Sequence, residues 1–311
     1  RLLPALGKGE LPLTGWADNT VYVSGTLDNL AAHGSFRLSS GSAYGYLYKN
    51  VSADYTLANN TIYLQNGDIS AYDASVKVSG SVGERLNLDF DASNLDIARL
   101  VPQKGPQRAG LVHLKAHVGG TLDSPTLNGT LQSDQLTFNQ TLLQDVKGEV
   151  TYYGGIFHLN NFHFMQNGGS YDANGGYNPA NGWIMARASV ASGDLASLLK
   201  LAGYKGNAVQ GRLDGNLSVD GTAEKPRAHL TGQLTQGFIG KEPIEPTDID
   251  VQYENDTVKI NKLALQVSGG ILAAQGTYAL HGPVNIQVAG RGFPTKLLTE
   301  ITGRTDIDLD S

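Results

Sequence analysis

The sequence predicts an all-β protein, an antiparallel sheet built of repeats about 100 residues long and carrying a few short helices. Two observations point to strands: apolar and polar residues alternate at period two, and Gly, Asn, Asp and Pro punctuate the chain every eight to twelve residues or so. A third points to repetition. Gly25, Gly120 and Gly221 open the same polar turn (SGTLDNL, GGTLDSP, DGTAEKP) at separations of 95 and 101 residues.

Other landmarks keep that spacing. Gly80, Gly176 and Gly276 lie in matching segments, and Val150-Thr151-Tyr152 corresponds to Val251-Gln252-Tyr253. RLLP at 1–4 matches RLVP at 99–102, so the chain is expected to begin on the tail of a preceding unit. The expected units are 1–102, 103–203 and 204–303, with 304–311 starting a further one. The seams PQKGPQRAG and YKGNAVQG are short and not of low complexity, which favours one continuous domain over separate beads.

Each unit is expected to hold about six strands. In the first, Val76 and Val78, then Leu86, Leu88 and Phe90, fall on apolar faces, with Asn87 and Asp89 opposite. In the second, Leu114, Ala116 and Val118 share a face against His113, Lys115 and His117. Ile184, Ala186, Ala188 and Val190 line up likewise. In the third, Leu213, Leu217 and Val219 oppose Asp214, Asn216 and Ser218. The apolar sets Leu263, Leu265 and Val267, and Ile286 and Val288, follow.

Each unit then closes on a short helical pattern: Asp96–Pro102, Asp194–Ala202 and Pro294–Thr302. Asp194 suits an N-cap, Pro294 a first turn, and Gly203 and Gly303 helix ends. The glycine-bounded turns are structural: Asp123, Ser124 and Pro125 are turn formers.

Composition excludes several functions. The chain has 311 residues, no cysteine and a formal charge of −6 without a basic run. Disulfide scaffolds, cysteine-ligated zinc and thiol catalysis are therefore out, and nucleic acid is a poor partner. No stretch of about 18 apolar residues exists to span a bilayer as a helix. His113 and His117 lie four apart on a strand, about 13 Å, too far for one metal ion. His158 and His163 fall on opposite faces unless a turn or bulge at Asn160-Asn161 intervenes. Asp306, Asp308 and Asp310 share a face but lack a calcium-binding loop. Gly168-Gly169-Ser170 precedes no helix, which argues against a phosphate loop. No nucleophile elbow or HExxH is present. The sequence predicts no enzyme, no metal and no cofactor.

An apolar sheet face of this extent poses a physical problem. Bare, it would present on the order of 2,000 Å², against the few hundred a soluble surface tolerates. At about 25 cal/mol/Å² its exposure costs on the order of 50 kcal/mol. Closure of each unit into a barrel or sandwich, coiling into a filled solenoid, or curling into a trough lined for a lipid would each cover it. Periodicity does not choose among these.

The V-x-G-T-L-x-x-P turns, the V-x-Y and L-x-x-L strands and the closing D-L-x-x-L-L helix resemble the TamB/AsmA-like family of diderm envelope proteins. In the first unit Asn29-Leu30 replaces the Ser124-Pro125 and Lys225-Pro226 of the others. The resemblance implies a long curled sheet (a β-taco) with a hydrophobic groove. It implies a periplasmic location within an inner-membrane-anchored, envelope-spanning protein. It also implies conduction of phospholipid acyl chains between the membranes, in which the apolar positions named above line the groove. An Omp85-type outer-membrane barrel is the implied protein partner, through a part outside this chain. The alternatives are a scaffold for outer-membrane protein assembly, which would offer strand edges to clients, and an adhesin of β-sandwich beads.

Overall fold

The structure, a computed structural model, describes residues 13–26, 29–43, 46–100, 107–138, 140–201, 209–222, 224–280, 282–294 and 297. Among these residues it is all-β: nineteen strands follow one another as an antiparallel meander sheet, with two very short helices. The chain divides into two compact units. The first comprises residues 1–104, 109–133 and 151–154, and the second 105–108, 134–150 and 155–311.

The first unit opens with β1 (Leu13–Thr26), β2 (Asn29–Ala43), β3 (Tyr46–Ala58), β4 (Thr61–Ala71), β5 (Ala74–Val82) and β6 (Leu86–Asp96), followed by α1 (Ile97–Leu100). Each strand pairs with the next in sequence, as hairpins dictate. β7 (Arg108–Gly120) then pairs with β6. β8 (Pro125–Phe138) and β9 (Thr141–Tyr153) divide between the two units, as does β7 at its first residue, Arg108.

The second unit continues with β10 (Ile156–Gln166), β11 (Gly169–Asn178) and β12 (Trp183–Asp194), closed by α2 (Leu195–Leu201). After it come β13 (Val209–Thr222), β14 (Pro226–Ile239), β15 (Glu242–Ile244), β16 (Thr247–Glu254), β17 (Thr257–Val267), β18 (Gly270–Ala279) and β19 (Val284–Arg291). Thus six strands precede α1, and six more lie between α1 and α2. The seven after α2 are six with one interrupted. β14 pairs with both β15 and β16, and so does β17. The interruption falls at Glu245-Pro246, where proline has no N–H for the ladder.

The hundred-residue spacing is written into the backbone. Register breaks fall between Leu64 and Gly67, Leu159 and Phe162, and Ile260 and Leu263, on β4, β10 and β17. Those steps are 95 and 101 residues, the same as for the turn glycines. Gly25, Gly120 and Gly221 all have positive φ (99°, 84° and 111°), a region an L side chain rarely adopts. In the second and third turns a hydroxyl braces the loop. Thr121 Oγ1 accepts from the Ser124 N–H at 3.1 Å, and Thr222 Oγ1 from the Lys225 N–H at 3.2 Å.

The helices are held by their caps. Asp96 Oδ1 accepts from the Ala98 N–H at 3.0 Å, and Asp194 Oδ2 accepts from the Ser197 N–H at 3.3 Å. Of the helix expected over Pro294–Thr302, Pro294 and Leu297 are described: Pro294 is not helical and its carbonyl accepts from the Leu297 N–H at 3.0 Å, while Leu297 is helical and buried. Its remainder, like Asp306, Asp308 and Asp310, lies outside the described residues.

Candidate apolar binding face

Residues directly opposite in an antiparallel ladder share a face, so the registers show which side chains line up. In the first unit Val76 faces Ala92 and Val78 faces Phe90. Phe90 in turn faces Ala116, Leu88 faces Val118, and Ala92 faces Leu114, while Leu86 faces Val82. One apolar patch therefore crosses β5, β6 and β7. Ala92 and Ala116 are buried, whereas the larger members are half-buried.

In the second unit the rows run further. Ala186 faces Val219, which faces Ala228, which faces Tyr253. Ala188 faces Leu217, and Leu217 faces Leu230, which faces Val251. Ile249 faces Leu263, Leu263 faces Ala274, and Ala274 faces Val288, while Ile286 faces Gly276. Val190 faces Tyr171, and Ile184 faces Tyr177. Alternation alone places these residues on one side, and the ladders join them across neighbouring strands.

Burial along this face is uneven. Leu213, Leu265 and Val267 are buried. The latter two belong to a packed cluster with Leu234, Ile239, Ile244, Leu272 and Leu297. Leu195 of α2 and Phe293 pack against that cluster, and Leu198 lies beside Gly193. Here the face is covered by protein. Ile184, Ala186, Ala188, Val190, Val219, Leu263 and Ile286 are half-buried, and Leu217 and Val288 are exposed. Sequence alternation could not separate these groups, because it records which side a residue takes and not what lies above it. The amphipathic helix after Asp194 was the available signal for the cover.

A polar clasp fixes the covered end. Asp194 faces Arg212 across β12–β13. Asp194 Oδ2 accepts from Asn167 Nδ2 at 3.0 Å and from the Ser197 hydroxyl, while Arg212 donates to the carbonyls of Asn167 (2.6 Å) and Ser192 (3.1 Å). Burial raises the Asp194 pKa. The hydrogen bonds from Ser197 and Asn167 and the Arg212 charge outweigh it, and the net pKa is below the usual carboxylate value. Tyr171, against the same corner, is pushed up chiefly by burial, and its hydroxyl donates to Gln166 Oε1 at 3.1 Å.

The opposite face of each unit carries polar residues paired with one another. The β10 bulge, with Asn161 at φ 49°, puts His158 and His163 on one face, the condition under which they would not oppose each other. His163 Nδ1 lies 2.8 Å from Asp172 Oδ1, His117 Nδ1 2.8 Å from Asp89 Oδ1, and His229 Nε2 2.9 Å from Asp250 Oδ1. Arg227 Nε donates to Asp220 Oδ1 at 2.7 Å. One described cleft, of about 710 Å³, is lined by Arg187, Asp220, Arg227, His229, Gln252 and Lys259 and also by Ala186, Val219, Ala228 and Tyr253 of the apolar rows. Asn167-Gly168 is the β10–β11 hairpin turn, and Gly169 opens β11. Among the described residues no group of three His, Cys, Asp or Glu could hold a metal ion, and no helix is long and apolar enough to cross a membrane. No protein-family model, curated protein or solved structure matches the chain.

Proposed function

We propose that this chain is a segment of a bridge-like protein of the bacterial envelope. Its sheet, curled into a groove, conducts phospholipids between the inner and outer membranes through the periplasm. One observation carries the reading: aliphatic side chains continue from strand to strand by direct cross-strand register, yet many remain half-buried or exposed among the described residues. A closed sandwich would bury them. Acyl chains would take the place of water along the lining, leaving headgroups in the solvent. A lining of Ala, Val, Leu and Ile has no polar anchor to trap a lipid at one position, which suits passage over storage.

The test is purification followed by lipid extraction and site-specific photocrosslinking. Phospholipid should co-purify, and a photoreactive residue at Leu217 should label lipid while one at Asn216, on the other face, should not. Lipid-free protein, or equal labelling at both positions, would count against the proposal. Crosslinks running instead from strand edges to unfolded outer-membrane barrels would favour an assembly scaffold.

A further inference from the structure

The apolar face of the second unit has two unlike ends. On β13, Leu213 is 2% exposed and Leu217, two pleat repeats further on, is 38% exposed. On β18, Leu272 is 9% exposed and Tyr278 is 40% exposed. β17 runs from fully buried Val267 to half-buried Val258, and β14 from buried Leu234 to half-buried Leu230 and Ala228. These changes lie in register: Leu213 faces Leu234, Leu265 faces Leu272, and Val258 faces Tyr278. The sealed end lies beneath α2 and Leu297. At the open end Tyr253, Val258 and Tyr278 form one cross-strand row, and Tyr177 faces Ile184. Beside them are Glu224 and Lys225 in the β13–β14 turn, Glu254 at the end of β16 and Asp256 in the turn after it, and the Tyr253 hydroxyl donates to Asp256 Oδ1 at 2.9 Å.

An apolar floor that is dry at one end and bordered by tyrosines and charges at the other is itself amphipathic. Tyrosine favours the boundary between hydrocarbon and water because its ring is apolar and its hydroxyl is wet. From Ile184 to Val190 the half-buried stretch of β12 spans about 20 Å at strand rise. One monolayer's hydrocarbon is about 15 Å deep. The stretch therefore accommodates one acyl chain lying along the strands.

We infer that a lipid in the second unit is polarised: its headgroup sits at the Tyr177–Tyr253–Tyr278 end and its acyl termini point toward the Leu213–Leu272 end under α2. The inference rests on the lipid-groove reading and adds an orientation that reading does not require. A ligand so held would move across the strands, from one strand to the next, without turning over.

The chain contains no cysteine, so single labels are readily placed. Ile184→Cys and Val190→Cys, at opposite ends of the stretch on β12, would each carry a small fluorophore. Arg187→Cys, on the other face of the same strand, is the control, and circular dichroism would verify the fold of each. The probe is palmitoyl-oleoyl phosphatidylcholine with a nitroxide on either the headgroup or the acyl terminus. The headgroup probe should quench position 184 at least about twofold more than 190, and the acyl-terminal probe should do the reverse, because the two nitroxides sit about a monolayer apart. Position 187 should respond to neither. Equal quenching at 184 and 190 by both probes, or the inverse pattern, would overturn the orientation while leaving the groove. Absence of quenching at both positions would overturn the groove itself and the orientation with it.

Discussion

Leu217 stands directly opposite Leu230 across β13–β14, and Ala188 lies on its other side, yet more than a third of Leu217 remains exposed. Four residues earlier on the same face, Leu213 is almost wholly buried against the covered end. This pair separates lining from core. Leu217→Arg should leave the protein folded, with a urea midpoint near that of the parent, because the long side chain can carry its charge to water. Leu213→Arg should unfold the unit, since an unpaired charge there costs several kcal/mol. In cells, Leu217→Arg should lower lipid transport despite normal folding. Comparable destabilisation by the two substitutions would mean that both positions are core.

Asp194 links three elements: it caps α2, receives Asn167 from the β10–β11 turn and faces Arg212 on β13. Asp194→Ala removes the cap and should cost about 1–2 kcal/mol. A double-mutant cycle with Arg212→Ala in urea unfolding should show positive coupling, because the residues share Asn167 as a partner. Strict additivity would reduce the clasp to an ordinary cap.

Gly276 has φ of 138°, and a Cβ placed there would lie 2.2 Å from the Asn285 carbonyl oxygen. Gly80 repeats the situation, with φ of 127° and Asn87 in the place of Asn285. Gly276→Ala should therefore destabilise by about 1–3 kcal/mol through backbone strain and displacement of β19. Denaturant unfolding would measure it, and a neutral result would show that the β18–β19 ladder can shift to make room.

The sequence displayed strand faces, the repeat and the capped helix after Asp194 because each is local: alternation, glycine spacing and a capping carboxylate are properties of neighbouring residues. It marked Asn160-Asn161 as a break without showing that the break is a bulge, which keeps Phe157 and Leu159 on the same face as Phe162 and Phe164. Nothing in that dipeptide distinguishes a bulge from a turn. The break at Pro246 was visible as a proline but not as a strand that resumes on the same two neighbours. The candidate lining was legible by side and not by depth. Leu213 and Leu217 read identically in the pattern, and what separates them is α2 and the packed cluster, brought together by the fold.

Acid should weaken the β16–β17 ladder at its carboxylates. Asp248 is held below the usual carboxylate range chiefly by the hydrogen bond from Lys262 Nζ at 2.7 Å and by the charge behind it. Asp250 is lowered by the hydrogen bond from Asn261 Nδ2 at 2.8 Å, then by that from His229. A carboxylate whose folded pKa is depressed contributes stability that is fully present above its unfolded pKa, about 4, and is lost as pH falls through the folded value. Both groups are solvent-exposed, so the effect of each is small. Lys262→Met should therefore lower the urea midpoint slightly and by a constant amount from pH 7 down to about pH 5. Below about pH 4 the gap from the parent should narrow, and it should close as pH falls through the depressed folded pKa, where Asp248 takes up its proton in both proteins. A gap that persists unchanged at pH 2 would assign the contribution of Lys262 to packing of its aliphatic stem and not to the ion pair.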